Sequence, residues 1–128
     1  MSVSCDVVVP SAGRPSLRRL LEALAAGGTA GDGQVIAVDD RQPGAERALL
    51  QGPLPDGLRV RVVRGRGGGP AAARNRGWLV GRAEWVAFLD DDVVPEPGWR
   101  RALAPGLLAI SAEQVLGAFA LLPAAAGE

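Results

Sequence analysis

Residues 86–92 read Val-Ala-Phe-Leu-Asp-Asp-Asp, four apolar residues followed directly by three carboxylates. The apolar part shows no polar alternation, which is typical of a strand buried on both faces of a sheet. Successive side chains of a strand point to opposite sides, so we expect Asp90 and Asp92 to project one way and Asp91 the other. This stretch predicts a buried strand that ends in an acidic cluster.

The rest of the chain alternates between strand-like and helix-like segments. Short apolar runs predict strands at residues 3–9, 35–38, 58–63, 85–89 and 115–122. Helical spacing with Pro or Gly at the ends predicts helices at residues 15–26, 45–50 (weak), 70–80 and 95–108. Arginines alternate along the third strand, which indicates an edge position. The sequence therefore predicts one α/β domain over residues 1–128, Rossmann-like, with a mostly parallel sheet and helices on both faces.

Composition removes several classes of function. The net charge is zero, so nothing indicates a nucleic-acid partner. All 14 basic residues are Arg and the chain has no His, which excludes Schiff-base lysines and His-dependent triads. The single Cys5 cannot form an internal disulfide and is expected to be a buried apolar residue. No apolar run reaches the length of a membrane span and no signal pattern is visible, so the simplest predicted location is the cytoplasm.

The unusual residues follow the predicted strands. In open sheets of this kind, ligands bind outside the carboxyl ends of the strands. These residues are Pro10 and Ser11 after the first strand, Asp39 and Asp40 after the second, the glycine-rich residues 65–69 with Arg74 after the third, and Asp90, Asp91 and Asp92 after the fourth. Their convergence on one edge of the sheet predicts a ligand site there.

The acidic cluster itself predicts a metal site. Two neighbouring carboxylates repel each other unless a cation lies between them. Oxygen-only ligands suit a hard ion such as Mg²⁺ or Mn²⁺, which is often shared with a phosphate. Asp92 and Asp90 are the candidate ligands. The alternative is a solvated acidic turn that caps the next helix.

The glycine-rich segment indicates an anion-binding site. Glycines allow the backbone to approach a ligand closely, and the helix that follows offers free N–H groups to an anion. Arg74 and Arg76 add always-charged planar donors suited to phosphate or to a base edge. A plain flexible loop is the alternative. The segment matches neither a Walker motif nor a dinucleotide fingerprint, because no Lys-Ser/Thr pair follows and it does not follow the first strand.

The paired acids Asp39 and Asp40 are candidates for hydrogen bonds to ribose hydroxyls or to a base N–H. Their alternative role is to cap the next helix or to pair with Arg41. We expect one of the two acids to have that structural role.

Four segments together resemble a known family. They are VVVPSAGRPSLRRLLEAL (7–24), VIAVDDR (35–41), GGGPAAARNRGW (67–78) and WVAFLDDDVVPEPGW (85–99). In order and spacing they resemble the nucleotide-sugar-binding half of family 2 glycosyltransferases with the GT-A fold. The later segment VLGAFALLP (115–123) resembles the strand that leads into the acceptor half of that family.

The resemblance implies a role for each residue that is expected to lie near the nucleobase. Pro10 and Ser11 match the segment that lines the nucleobase pocket. Asp40 matches the acid that reads the base N–H, with Asp39 beside it. Arg74 matches an arginine near the base and the phosphates.

The resemblance also implies a metal-dependent diphosphate site. Asp90 and Asp92 match the outer acids of the DxD motif, with Asp92 as the direct ligand of Mn²⁺ or Mg²⁺ and Asp90 nearer the ribose. Asp91 counts among the nucleotide-binding residues. The metal would neutralise the diphosphate as a leaving group. The expected partner is a nucleotide-sugar donor, first of all a UDP-sugar; the sequence leaves open the sugar, the acceptor, and the base among uridine, guanosine and thymidine.

Some positions depart from the family pattern. Ala12 and Gly13 stand where the family has an aromatic residue and Asn, and Arg41 and Gln42 replace Gly-Ser. No residue matches the catalytic base, which the family carries in its second half. We therefore expect either the first part of a larger enzyme or a shortened relative that binds nucleotide without transferring sugar. We also expect contact with the missing half or self-association through an exposed sheet edge.

Three other classes share parts of the pattern. A haloacid-dehalogenase phosphatase would use Asp90 as nucleophile and Asp92 as acid–base, but it needs this motif near its first strand and a Lys downstream. A phosphorylation receiver domain also needs a Lys. A catalytically inactive interaction module on a degenerate transferase fold is the third alternative.

Overall fold

The structure, a computed structural model, describes residues 5–26, 33–83, 85–95 and 119–123. Its elements are β1 (Cys5–Ser11), α1 (Ser16–Ala26), β2 (Val35–Asp39), β3 (Val60–Arg64), α2 (Pro70–Val80), β4 (Trp85–Leu89) and β5 (Phe119–Pro123). The predicted helix over 95–108, apart from its first residue, lies outside the described residues. So do the predicted helix stop at residues 27–28 and the first residues of the predicted strands 3–9 and 115–122.

The strands form one sheet in the order β3-β2-β1-β4-β5. β1 pairs in parallel with β2 and with β4, β2 pairs in parallel with β3, and β5 runs antiparallel to β4. The mostly parallel α/β sheet is thereby confirmed. β3 lies at one edge of the described sheet, as its alternating arginines predicted. Self-association through an edge strand and the single-domain assignment stay predictions.

The central strands are buried on both faces, each face by one helix. Along β1, Val7 and Val9 belong to one core cluster and Val8 to the other. The first cluster contains the buried leucines of α1, which recur at helical spacing at positions 17, 20, 21 and 24. The second contains Ala73 of α2. Because side chains alternate along a strand, the two helices lie on opposite faces, as predicted.

α2 approaches the sheet closely at a glycine. Gly77 is buried, and a Cβ built there would lie 2.3 Å from Val8 Cγ1 and 3.1 Å from Val38 Cγ2. A side chain at this position would force the strand valines or the helix to move, because interiors are close-packed. Gly77 thus keeps α2 against β1 and β2, the strands whose ends carry the candidate site.

A buried carboxylate joins three segments near the amino end of β1. Asp6 accepts hydrogen bonds from the backbone N–H groups of Gln34 at 3.0 Å, Arg82 at 2.6 Å and Ala83 at 2.9 Å. A buried charge needs such donors to offset its lost hydration. The three donors lie just before β2 and β4, so Asp6 fixes where both neighbours of β1 begin. No pattern in the sequence indicated this role.

Residues 45–50, predicted as a weak helix, form bends instead, so that prediction was wrong. The segment is short and lies between Pro43-Gly44 and Gly52-Pro53, and a helix of this length does not support itself. In addition, Arg41 Nη2 donates to the carbonyl oxygen of Arg47 at 2.7 Å. That bond ties the segment to the end of β2 in its non-helical form.

β3 starts at Val60 rather than at Leu58 and ends at Arg64, one residue beyond the predicted end. Val63 is buried in the cluster on the α2 face, whereas Val62 is exposed. Val62 lines a cavity together with the segment 45–50. Residues 45–50 therefore leave Val62 exposed on this face of the edge strand.

Candidate functional site

The carboxyl ends of β2, β1 and β4 lie side by side. The register pairs Ser11 with Asp39, and the backbone N–H of Asp40 donates to the carbonyl oxygen of Ser11 at 2.8 Å. On the other side of β1, β4 ends at Leu89, so that Asp90 follows at the same edge. The sheet therefore brings the sequence-predicted residues of three strands to one edge.

Asp91 is the buried member of the acidic cluster. Its side chain is 3% exposed, and its Oδ2 accepts a hydrogen bond from Ser11 Oγ at 2.8 Å. Its Oδ1 accepts a hydrogen bond from Arg14 Nη2. Ser11 Oγ in turn accepts from the backbone N–H of Gly13 at 3.0 Å. Asp91 thus binds both ends of the loop between β1 and α1, and its hydrogen bond and charge raise the pKa of Arg14.

The other two acids of the cluster are open to solvent. Asp92 has 57% of its side chain exposed, and its Oδ2 lies 3.9 Å from Arg14 Nη2. Asp90 is partly exposed, and its Oδ1 accepts a hydrogen bond from Arg74 Nη2 at 3.2 Å. Arg14 and Arg74 therefore flank the acidic cluster on two sides.

The predicted strand alternation does not extend through the acidic cluster. β4 ends at Leu89, and Val93 N–H donates to the carbonyl oxygen of Asp90 at 3.2 Å, which closes a turn. Asp91 and Asp92 lie in this turn and face the same cation, Arg14, whereas Asp90 faces α2. Side-chain direction in a turn follows local partners and not the period of two that holds in a strand.

The donor set at this edge fits a hard divalent ion. Asp90 and Asp92 present exposed carboxylate oxygens, and Mg²⁺ is commonly held by one or two carboxylates plus the phosphates of a substrate. Within the described ranges, no group of three or more Asp, Glu, Cys or His side chains is arranged to hold a metal. Water and phosphate oxygens would therefore complete the coordination.

Asp39 and Asp40 have different surroundings. Asp39 is buried, and its two oxygens accept from Arg41 Nε at 2.9 Å and Nη2 at 2.8 Å. Arg64 Nη1 lies 3.6 Å from its Oδ2. The hydrogen bonds from Arg41 lower the pKa of Asp39 below its ordinary value of 3.8, against the opposing effect of burial. The expectation that one of the two acids pairs with Arg41 is confirmed, and that acid is Asp39.

Asp40 remains partly exposed and connects β2 to α2. Its Oδ1 accepts a hydrogen bond from the backbone N–H of Gly69 at 3.2 Å. Gly69 has a φ of +98°, a conformation that side chains rarely adopt, and it directly precedes α2. At Gly65, a Cβ would lie 2.9 Å from the carbonyl oxygen of Asp39. The glycine-rich segment is therefore required for close backbone packing under the two acids.

Sequence reasoning missed Arg14. A single arginine before a proline carries no spacing signal, and its partner Asp91 lies 77 positions away. Arg64 was likewise not singled out, although it lies beside Asp39. Only the sheet order brings these residues to the acids that they contact.

An open cavity of about 420 Å³ lies beside the edge strand. It is lined by Asp39, Arg41, Val62, Arg64 and residues 45–50. Of the sequence-predicted site residues, only Asp39 lines it. The cavity is thus separate from the acidic cluster at the end of β4.

In the part of the chain that the structure describes, no helix has the length and apolarity needed to cross a membrane. The predicted cytoplasmic location stays a prediction.

Comparison with known proteins identifies the family to which the sequence is similar. The sequence model described as Glycosyl transferase family 2 matches residues 6–121, most of the chain. The chain is also 54% identical over 35 residues to the "Pre-mycofactocin glycosyltransferase" of Mycobacterium tuberculosis, in strain CDC 1551 / Oshkosh and in strain ATCC 25618 / H37Rv. That alignment covers 27% of this chain and 7% of each relative.

Solved structures show the same fold. The crystal structure of S. aureus TarS 1-349 superposes with a TM-score of 0.60 at 22% identity, covering 77% of this chain and 30% of that one. The crystal structure of the same protein in complex with UDP-GlcNAc gives a TM-score of 0.64 at 24% identity, covering 77% of this chain and 29% of that one. At these identities the likeness shows the fold alone, and this chain spans less than a third of either structure.

These findings agree with the resemblance of the four sequence segments and favour it over the phosphatase and receiver alternatives. The matched range includes every candidate residue from Pro10 to Asp92. The chain belongs to glycosyl transferase family 2.

Proposed function

We propose that this chain carries the donor-binding domain of a glycosyltransferase and binds a nucleotide-diphosphate sugar, with a UDP-sugar as the expected donor. The observation that carries the proposal is the meeting of Ser11, Asp40 and the acids after β4 at one edge of the sheet. Family membership indicates the donor class, and the similar fold solved with UDP-GlcNAc supports a uridine nucleotide. The chain spans a small part of the length of its relatives. Transfer of the sugar by the whole protein is therefore part of what we propose.

The base and ribose are assigned to the side of β1 and β2. Pro10 and Ser11 are both buried, and the hydroxyl of Ser11 is bonded to Asp91, so this segment would support the base pocket from below and leave recognition of the base to its exposed neighbours. The charge of Asp39 is balanced by Arg41 and Arg64. Asp40 is the acid left to accept a hydrogen bond from a base N–H, because its one side-chain hydrogen bond within the described residues is on Oδ1, which leaves Oδ2 for a ligand.

The diphosphate is assigned to the side of β4 and α2. Asp92, with Asp90, would hold Mn²⁺ or Mg²⁺ through exposed oxygens. When bound, the ion would supply Lewis-acid stabilisation of the charge on the leaving diphosphate. Arg74 lies beside Asp90 and offers a guanidinium suited to phosphate oxygens.

Calorimetry with UDP, in the presence of Mn²⁺ or of a chelator, tests the proposal. We expect binding only with the metal, and a loss of affinity of at least about tenfold in Asp92→Ala, since a lost ligand weakens a metal site strongly. Asp56→Ala is the matched control, because Asp56 is an exposed acid in the loop before β3, at the opposite end of the sheet. That control should bind UDP as the unmodified chain does.

Several results would contradict the proposal or part of it. Equal UDP affinity with and without Mn²⁺, or in Asp92→Ala, would remove the metal assignment. No UDP binding under any condition would favour an inactive interaction module, and release of phosphate from an aryl phosphate would favour the phosphatase alternative.

A further inference from the structure

Arg14 and Asp91 form an ion pair that the proposed donor site does not yet use. Asp91 is buried, and within the described residues its carboxylate has two hydrogen-bond partners, Ser11 and Arg14. The first partner ends β1, and the second lies two residues before α1. A carboxylate placed in this way is not itself open to a ligand, but it determines where the side chain of Arg14 lies.

Arg14 is exposed although its partner is buried. Of its side chain, 57% is accessible, against 3% for Asp91. A guanidinium has five N–H donors, and Arg14 has no hydrogen-bond acceptor other than Asp91 in the part of the chain that the structure describes. Donors are therefore left over on the solvent side of the ion pair.

The N–H donors of Arg14 that do not bond Asp91 lie beside the acidic cluster. Nη2 of Arg14 is 3.9 Å from Oδ2 of Asp92, the proposed metal ligand. On the other side of the cluster, Arg74 bonds Asp90. Two arginines thus flank three acids, so the cluster carries one net negative charge by itself. A divalent ion added there leaves a positive site, which suits the negative charge of a diphosphate.

We propose that Arg14 contacts the diphosphate of the donor and that Asp91 is the positioning residue that holds Arg14 in place. The inference rests on the proposed function, because it assigns a further contact in the same site. Asp91 acts through Arg14 and does not touch the nucleotide. The role differs from the direct nucleotide contact that the sequence predicted for Asp91.

A double-mutant cycle on UDP affinity, measured by calorimetry with Mn²⁺, tests both roles. Arg14→Gln should weaken UDP binding about tenfold, as for the loss of a charge-assisted hydrogen bond, and should leave uridine binding unchanged. Asp91→Asn keeps the shape and an acceptor for Ser11 but removes the charge that holds Arg14. We expect it to weaken UDP binding about threefold to tenfold in the unmodified chain, and less than about twofold in the Arg14→Gln background.

Arg82→Gln is the matched control, because Arg82 is an exposed arginine near the amino end of β4. It should bind UDP normally. If Asp91→Asn does not fold, Ser11→Ala replaces it in the cycle, since this change frees the other oxygen of Asp91. The uridine measurements then separate any effect on the base pocket.

The outcomes separate this inference from the proposed function. Absence of UDP binding by the unmodified chain overturns both. UDP binding that is unchanged in Arg14→Gln overturns the contact assigned to Arg14 alone. An equal loss of affinity from Asp91→Asn in both backgrounds would overturn the positioning role, because it would show that Asp91 does not act through Arg14.

Discussion

The acids that end β2 and the acids that follow β4 are arranged alike, but their arginine partners come from different distances along the chain. In each group one carboxylate is buried and bonded to arginine: Asp39 after β2 and Asp91 after β4. In each group a neighbouring acid stays open. Asp39 takes its main partner from two positions away, whereas Asp91 takes Arg14 from 77 positions away. In both groups, the acid available to a ligand is the one whose side chain stays exposed, and the buried acid is held by an arginine.

The largest expected effect is on stability, and it compares the two buried acids. Asp39→Ala should lower the free energy of unfolding by about 2–3 kcal/mol, because it removes a buried carboxylate that accepts two side-chain hydrogen bonds from Arg41. Asp91→Ala should cost about 1–2 kcal/mol, because its cationic partner reaches solvent. Urea denaturation of both variants measures the difference. An equal or reversed order would break the comparison, and Asp56→Ala should change neither value.

The next effect concerns the open acid of the β2 group. Asp40→Ala should weaken binding of UDP and of uridine alike, by about 1.5–3 kcal/mol, because both ligands carry the base N–H that Asp40 is proposed to read. Asp92→Ala should affect UDP and leave uridine unchanged. Calorimetry with each ligand gives both values. If Asp40→Ala kept full affinity for uridine in a folded protein, the base-reading role would be wrong.

Two arginines, Arg74 and Arg41, should differ in whether they support ligand binding or stability. Arg74 pairs an exposed acid and Arg41 a buried one. Arg74→Gln should weaken UDP binding about threefold to tenfold with little change in melting temperature, since one charge-assisted bond to phosphate is lost. Arg41→Gln should lower the melting temperature. Calorimetry and thermal denaturation on both variants check the pair, and a loss of UDP affinity without destabilisation in Arg41→Gln would contradict it.

The smallest effect is the pH dependence that Asp39 confers. Its folded pKa lies below 3.8, so the stability from its charged form is complete above about pH 3.8 and is lost as the pH falls through the lowered folded pKa. The unmodified chain should therefore lose stability relative to Asp39→Asn only in this acid range. Acid titrations followed by circular dichroism measure the two transitions. Parallel curves for the two proteins at low pH would contradict the assignment.

The central fold was predictable because its signals are local. The apolar runs of β1, β2 and β4 and the leucine spacing of α1 depend on neighbouring residues. The helix predicted over residues 45–50 was wrong. The helical pattern of this segment is weak, and in the structure Arg41 donates a hydrogen bond to its backbone at Arg47. The exposure of Val62 on β3 also could not be predicted, since it depends on how residues 45–50 lie beside that strand.

The site was predictable in its place but not in its internal roles. Strand ends meet at one edge by a general rule of parallel sheets, so the positions of Ser11, Asp40 and Asp90 followed from the strand assignments. The pairing of Asp39 with Arg41 was foreseeable, because the two residues are nearly adjacent. The bond from Arg14 to Asp91 was not, since sequence distance gives no sign of it and the alternation that applies in β4 stops at Leu89.

Asp6 has a consequence for how this site would be found by mutation. Its carboxylate fixes the start of β2 and of β4 against β1, and it lies five steps along the strand, about 16 Å, from Ser11. A slip of either neighbour by one residue would move the acids of the edge by about 3.3 Å relative to Ser11, more than a metal or hydrogen-bond site tolerates. A random screen for lost nucleotide binding would therefore select Asp6 together with the edge residues, although its carboxylate lies at the far end of the strand.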